Sequence, residues 1–128
     1  YLADSYIGEL SGGQSQLVSI AQSLVRQADV YLFDEPTSAL DLRHQLAVLQ
    51  QIKAHVLACN AVGVVALHDL NLAARFADHL ILLGNGCVRA AGSPKDVLST
   101  PELAETYGVQ IALGTGPQKE ISVHAYSS

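Results

Sequence analysis

The sequence predicts an α/β protein with parallel strands at its centre. Two short apolar runs, Val30–Phe33 and Val62–Leu67, flank a stretch from Leu42 to Ala58 whose apolar residues recur at helical spacing. Strand, crossover helix and strand in one sheet imply parallel pairing with a right-handed connection. Both strands end in groups able to do chemistry: Asp34 and Glu35 after the first, His68 after the second. That rim is where open α/β sheets place their ligands.

Composition narrows the function classes. The chain has 128 residues, 49% of them hydrophobic and 15% charged, enough for a packed core of ordinary domain size. A formal charge of -5 leaves no basic patch for phosphate neutralisation and argues against a nucleic-acid partner. Cys59 and Cys87 lack CxxC spacing and sit in apolar stretches, which reads as a reduced, structural pair rather than a disulfide framework. No apolar run approaches the ~20 residues needed to span a bilayer. The first residue is Tyr1, not methionine, which suggests a piece of a longer chain.

The first helix is expected from about Gly12 to Gln27, with Leu17, Ile20, Ala21, Leu24 and Val25 on its apolar side. Ser11 is a natural N-cap and Gln14 can close a capping box. Gly12 and Gly13 weaken a first turn by roughly 1 kcal/mol each relative to alanine. They also bare backbone N–H groups at the positive end of a helix, where an anion such as phosphate binds. A capped helix start and an anion site are both open on these residues.

Val30–Phe33 reads as a strand buried on both faces. Pro36 cannot donate to a ladder and is expected to hold Glu35 extended. The adjacent acids Asp34 and Glu35 read either as an acidic turn or as groups that meet a divalent cation and a polarised water. Asp41 can cap the helix Leu42–Ala58, with Leu42, Leu46, Leu49, Ile52 and Val56 as its stripe. Val62–Leu67 reads as a second buried strand. His68 is either a hydrogen-bonded structural residue or, sharing the rim with the acids, a functional one. His44 and His55, without carboxylate or cysteine partners, read as surface residues.

Leu70–Ala77 is expected as a short helix with Leu72, Ala73 and Phe76 inward. Gly84-Asn85-Gly86 then joins Leu80–Leu83 and Cys87–Ala91 in an antiparallel hairpin. Ser93-Pro94 and Thr100-Pro101 each read as an N-cap with proline at the first helical position, opening helices at Pro94–Leu98 and Pro101–Tyr107. Val109–Leu113 and Ile121–Tyr126 are expected as strands around a turn.

Taken together, these motifs resemble one family. Leu10-Ser11-Gly12-Gly13-Gln14 matches the signature sequence of ABC transporter ATPases. Val30–Pro36 looks like their Walker B strand and catalytic glutamate, Ser38-Ala39-Leu40-Asp41 like the D-loop, and His68 like the switch histidine. The likeness runs from about Leu2 to Val109. Asp41–Gln45, His68–Ala73 and Gly92–Leu98 look most like importers of ferric siderophores, haem and cobalamin.

The resemblance implies a P-loop NTPase-like parallel sheet flanked by helices. Residues 1–27 would end a helical subdomain, 28–92 form the catalytic core and 93–128 the C-terminal helices and tail. It implies ATP and Mg²⁺ as cofactors. Asp34 would hold the metal, Glu35 would polarise the attacking water, and His68 would contact the γ-phosphate. Asp41 would couple two sites across a dimer, and Ser11, Gly12, Gly13 and Gln14 would cradle the γ-phosphate on the opposite subunit. The implied partners are a second ATPase subunit, transmembrane permease subunits and, indirectly, a substrate-binding protein, at the cytoplasmic face of the membrane.

The chain also departs from the family pattern. It contains no GxxxxGK[ST] and no Q-loop, and Ser15 and Leu17 stand where charged or basic residues are usual. The N-terminal Walker A part is therefore absent, the sheet is expected to be incomplete between Val62–Leu67 and Leu80–Leu83, and the chain alone is expected to be inactive. Its unpaired inner edges would leave it destabilised, rearranged or associated with another chain. Competing readings are a non-hydrolysing interaction or regulatory piece, and an ATPase of an exporter or of DNA repair.

Overall fold

Residues 12–127 are described by a computed structural model, in which they form two compact units that divide between His68 and Asp69.

In the first unit, α1 (Gly12–Val25) leads to β1 (Val30–Asp34), then α2 (Leu42–Ala58) and β2 (Val62–Ala66). β1 and β2 pair in parallel from Val30↔Val62 to Asp34↔Ala66, as expected of a strand–helix–strand unit. α2 packs on β2 and buries Val48, Leu49 and Ile52. Tyr31 and Phe33 point to the buried side, their rings stacked at 6.5 Å between centroids. Tyr31 donates its hydroxyl hydrogen to the Arg26 carbonyl, and His55 stands edge-on to its ring at 5.3 Å.

Both strands of this pair are covered on one face only. Leu32 is 75% exposed and Val62 57%, with Val30 and Val64 also exposed, whereas burial on both faces was expected. Apolar side chains create a demand for cover, but the cover must come from a second layer, and this two-stranded sheet has α2 on one side. A related mismatch exposes Leu42. A 17-residue helix spans ~25 Å while a five-residue strand spans ~17 Å, so the sheet is too short to cover the whole stripe. On α1, Ile20 is buried but Val25 is 84% exposed.

The second unit comprises α3 (Leu70–Phe76), β3 (Leu80–Gly84), β4 (Cys87–Gly92), α4 (Pro94–Leu98), α5 (Pro101–Tyr107), β5 (Gln110–Thr115) and β6 (Ile121–Tyr126). β3 and β4 form the expected antiparallel hairpin, and Asn85 and Gly86 both take positive φ, 52° and 74°, as its tight turn demands. β5 and β6 form a second antiparallel pair. β2 and β3 are not hydrogen-bonded neighbours: the described strands make three separate two-stranded sheets. The core of this unit is Leu82, Val97, Leu98, Leu103 and Val123, with Leu70, Leu80, Ile111 and Ile121 packed around it. Asn71 ties α3 to β6: its Nδ2 donates to the Val123 carbonyl at 3.2 Å and its Oδ1 accepts from the Val123 N–H at 2.7 Å. β6 thereby gains a partner on the side away from β5.

Three smaller expectations need correcting. Both cysteines are free, as expected, but exposed rather than set in apolar surroundings. His44 and His55 do have partners: the Asp41 carboxylate lies 2.7 Å from His44 Nδ1, and Cys59 Sγ lies 3.6 Å from His55 Nε2. These are i,i+3 and i,i+4 neighbours, which a helix brings together on one face. Thr100 occupies the N-cap position of α5, yet its hydroxyl donates backwards to the Val97 carbonyl and makes no cap bond.

Candidate functional site

The site residues follow from where the parallel strands stop. Asp34 closes β1, and the next residue continues the pairing by one bond, from the Glu35 N–H to the Ala66 carbonyl at 3.0 Å. The backbone then turns. Glu35 takes φ = 50°, in the left-handed region rather than the extended one that Pro36 led us to expect. The Glu35 carbonyl accepts from the Ser38 N–H at 3.2 Å, closing a turn whose central residues are Pro36 and Thr37. Pro36 and Thr37 are buried within the bend.

Glu35 and His68 are brought together. His68 follows the end of β2, and its Nε2 meets Glu35 Oε1 directly. The Glu35 side chain is partly covered while His68 remains largely exposed. A carboxylate touching an imidazole at the open end of two parallel strands can hold and orient a water molecule or share a proton. Asp34 is exposed at the end of its strand.

Asp41 has a clear structural task. Its Oδ1 accepts from His44 N–H at 3.0 Å and caps α2. The His44 backbone N–H, then its imidazole, hold the Asp41 carboxyl below the usual carboxylate range, with Arg43 adding a smaller contribution.

Gly12 and Gly13 open α1, and Gln14 is exposed in its first turn. Ser11 lies outside the described residues. Gly13 has a packing reason to be glycine, since an added Cβ would stand 2.9 Å from the Ala39 carbonyl oxygen. One turn further along, Gln16 grips the same segment. Its Nε2 donates to the Glu35 carbonyl at 2.8 Å and approaches Ser38 Oγ at 3.4 Å, while its Oε1 accepts from the Ala39 N–H at 3.0 Å. From α2, Gln45 donates to the Thr37 and Leu40 carbonyls at 3.3 and 3.1 Å. Reading the sequence missed both glutamines. The available signal was helical spacing, which puts Gln16 on the same face as Gly13.

The donor set can be tested against the cofactors that the resemblance implies. Among the described residues, no three His, Cys, Asp or Glu side chains gather as a metal cage. Mg²⁺ keeps several waters and takes one or two carboxylates beside phosphate oxygens, so an exposed Asp34 fits that ion and not one caged by protein. A glycine-opened helix start fits a phosphate group.

Comparisons with known proteins agree on one family. Residues 1–38 match the family model described as ABC transporter. A cobalamin import ATP-binding protein of Halobacterium salinarum is 38% identical over 111 residues, 87% of this chain and 28% of that protein. A hemin import ATP-binding protein of Thermobifida fusca is 38% identical over 117 residues, 91% of this chain and 41% of that protein. Among solved structures, an ABC transporter of metal-chelate type in an inward-facing conformation superposes with a TM-score of 0.79 at 26% identity, covering 93% of this chain and 49% of that one. The chain thus spans less than half the length of each of these proteins.

Proposed function

We propose that the chain belongs to the ABC transporter ATP-binding family and is part of the ATP-hydrolysing subunit of an importer for iron-siderophore, haem or cobalamin. The meeting of Glu35 and His68 at the ends of adjacent parallel strands carries this reading. Phosphoryl transfer asks a protein mostly for positioning and charge stabilisation, and these rim groups supply both. Glu35 orients and polarises the attacking water. His68 holds the Glu35 carboxylate and would contact the γ-phosphate.

Asp34 is the residue that would hold Mg²⁺, an ion that neutralises charge on the phosphates when bound. The first turn of α1, with Ser11, Gly12, Gly13 and Gln14, would receive the γ-phosphate of ATP bound to a second ATPase subunit, and Asp41 would lie where the two subunits meet. Permease subunits complete the transporter, and the subunit would lie against the cytoplasmic face of the membrane. No helix among the described residues is long and apolar enough to cross it.

The decisive experiment is Glu35→Gln in the full-length subunit. Turnover is expected to fall by about 100-fold or more with ATP binding retained. Unchanged hydrolysis would remove Glu35 from the role and the reading with it. Asp34→Asn is expected to weaken the Mg²⁺ dependence of nucleotide binding, measured by titration at several Mg²⁺ concentrations.

A further inference from the structure

We propose that Gln16 is a positioning residue for Glu35, acting through the backbone of the turn that carries the carboxylate. The inference rests on the ATPase reading above and deepens it. Glu35 is held at φ = 50°, a conformation that a residue with a Cβ populates sparsely and that persists only when its surroundings enforce it. Within the strand and turn, enforcement comes from two backbone bonds, Glu35 N–H to Ala66 and Ser38 N–H to the Glu35 carbonyl. The Gln16 amide adds a third on the Glu35 carbonyl and closes the far end of the turn at Ala39.

The chemistry selects glutamine. Ala39 offers a donor and Glu35 an acceptor, so the side chain between them must present both an acceptor and a donor. A glutamate would face the Glu35 carbonyl with a like partial charge, and an asparagine is one methylene shorter. Gly13, on the same helix face, lets the α1 backbone approach Ala39 closely enough for Gln16 to reach. Gln45 provides a contrast within the same loop. It bonds the Thr37 and Leu40 carbonyls and leaves Glu35 untouched.

The test is steady-state ATPase kinetics of the full-length subunit carrying Gln16→Ala, Gln16→Met, Gln45→Ala or Glu35→Gln, with the unfolding midpoint of each. Gln16→Ala and Gln16→Met are expected to lower kcat about tenfold with KM for ATP moved less than twofold, and Gln45→Ala to lower kcat much less. Gln16→Met keeps the side-chain length without the amide, so it gives the answer should Gln16→Ala not fold. Wild-type kcat in both Gln16 variants would overturn the proposal, as would equal kcat losses for Gln16 and Gln45. So would kcat, KM and unfolding midpoint falling together, the mark of a merely structural role. Glu35→Gln separates the two levels: if it abolishes turnover while both Gln16 variants keep wild-type kcat, only this inference fails. If Glu35→Gln turns over normally, the ATPase reading fails first.

Discussion

Each of the two units is held by a side-chain amide that bonds backbone on both of its faces, but the amides serve different ends. Asn71 reaches across 52 residues to Val123 and stitches a helix onto the edge of a strand above a closed apolar core. Gln16 reaches across about 20 residues to a loop, and the strands beneath that loop keep an uncovered apolar face. In one unit the amide completes a core. In the other it fixes a turn whose conformation the core does not dictate. The difference teaches where each unit invests its order: the second in packing, the first in the geometry of a rim.

Four measurements would break or sharpen that contrast. The largest effect is expected from Leu103→Ala, since Leu103 is 1% exposed at the centre of the second unit's core. Loss of its buried methyl groups is expected to cost about 2–5 kcal/mol, read from the denaturant midpoint. A cost under 1 kcal/mol would mean that the core is loosely packed. Asn71→Ala comes next. It leaves a strand N–H and carbonyl without their partner and is expected to cost about 1–3 kcal/mol, with faster amide hydrogen exchange at Val123.

The third expectation concerns acid. The Asp41 carboxyl is held low by His44, so its contribution as a cap is complete above the range in which an unfolded aspartate titrates, and it is lost as pH falls through the lower folded value. Helicity followed by circular dichroism on acidification is expected to decline less in Asp41→Asn, because an asparagine caps without titrating. In the second unit, Ser93 accepts from Asp96 N–H through a hydroxyl, and that cap has no such acid limit. The smallest effect is expected at Leu32, on the open face of β1. Leu32→Thr should change the midpoint by no more than about 0.5 kcal/mol. A large destabilisation would show that the face is covered in solution.

Much of the local structure was legible in the sequence because it is set by neighbours. Asp41 placed the start of α2, Ser93-Pro94 and Thr100-Pro101 placed α4 and α5, and Asn85-Gly86 placed the hairpin. The meeting of Glu35 with His68 was legible because parallel strands deliver their ends to one rim. What escaped depends on distant partners. Val62 and Leu32 look like core from their side chains alone, and no local pattern tells which layer is there to cover them. Glu35 was misjudged because the proline rule weighs one steric clash, whereas the turn weighs hydrogen bonds from Ser38 and Gln16. Gln16 itself looks like any polar helix residue until the loop it grips is in place.

The two cysteines have a practical consequence. They are the only thiols in the sequence, both are free and exposed, and one lies in each unit. A donor and an acceptor dye attached to Cys59 and Cys87 would make the distance between the units a quantity that single-molecule fluorescence can follow.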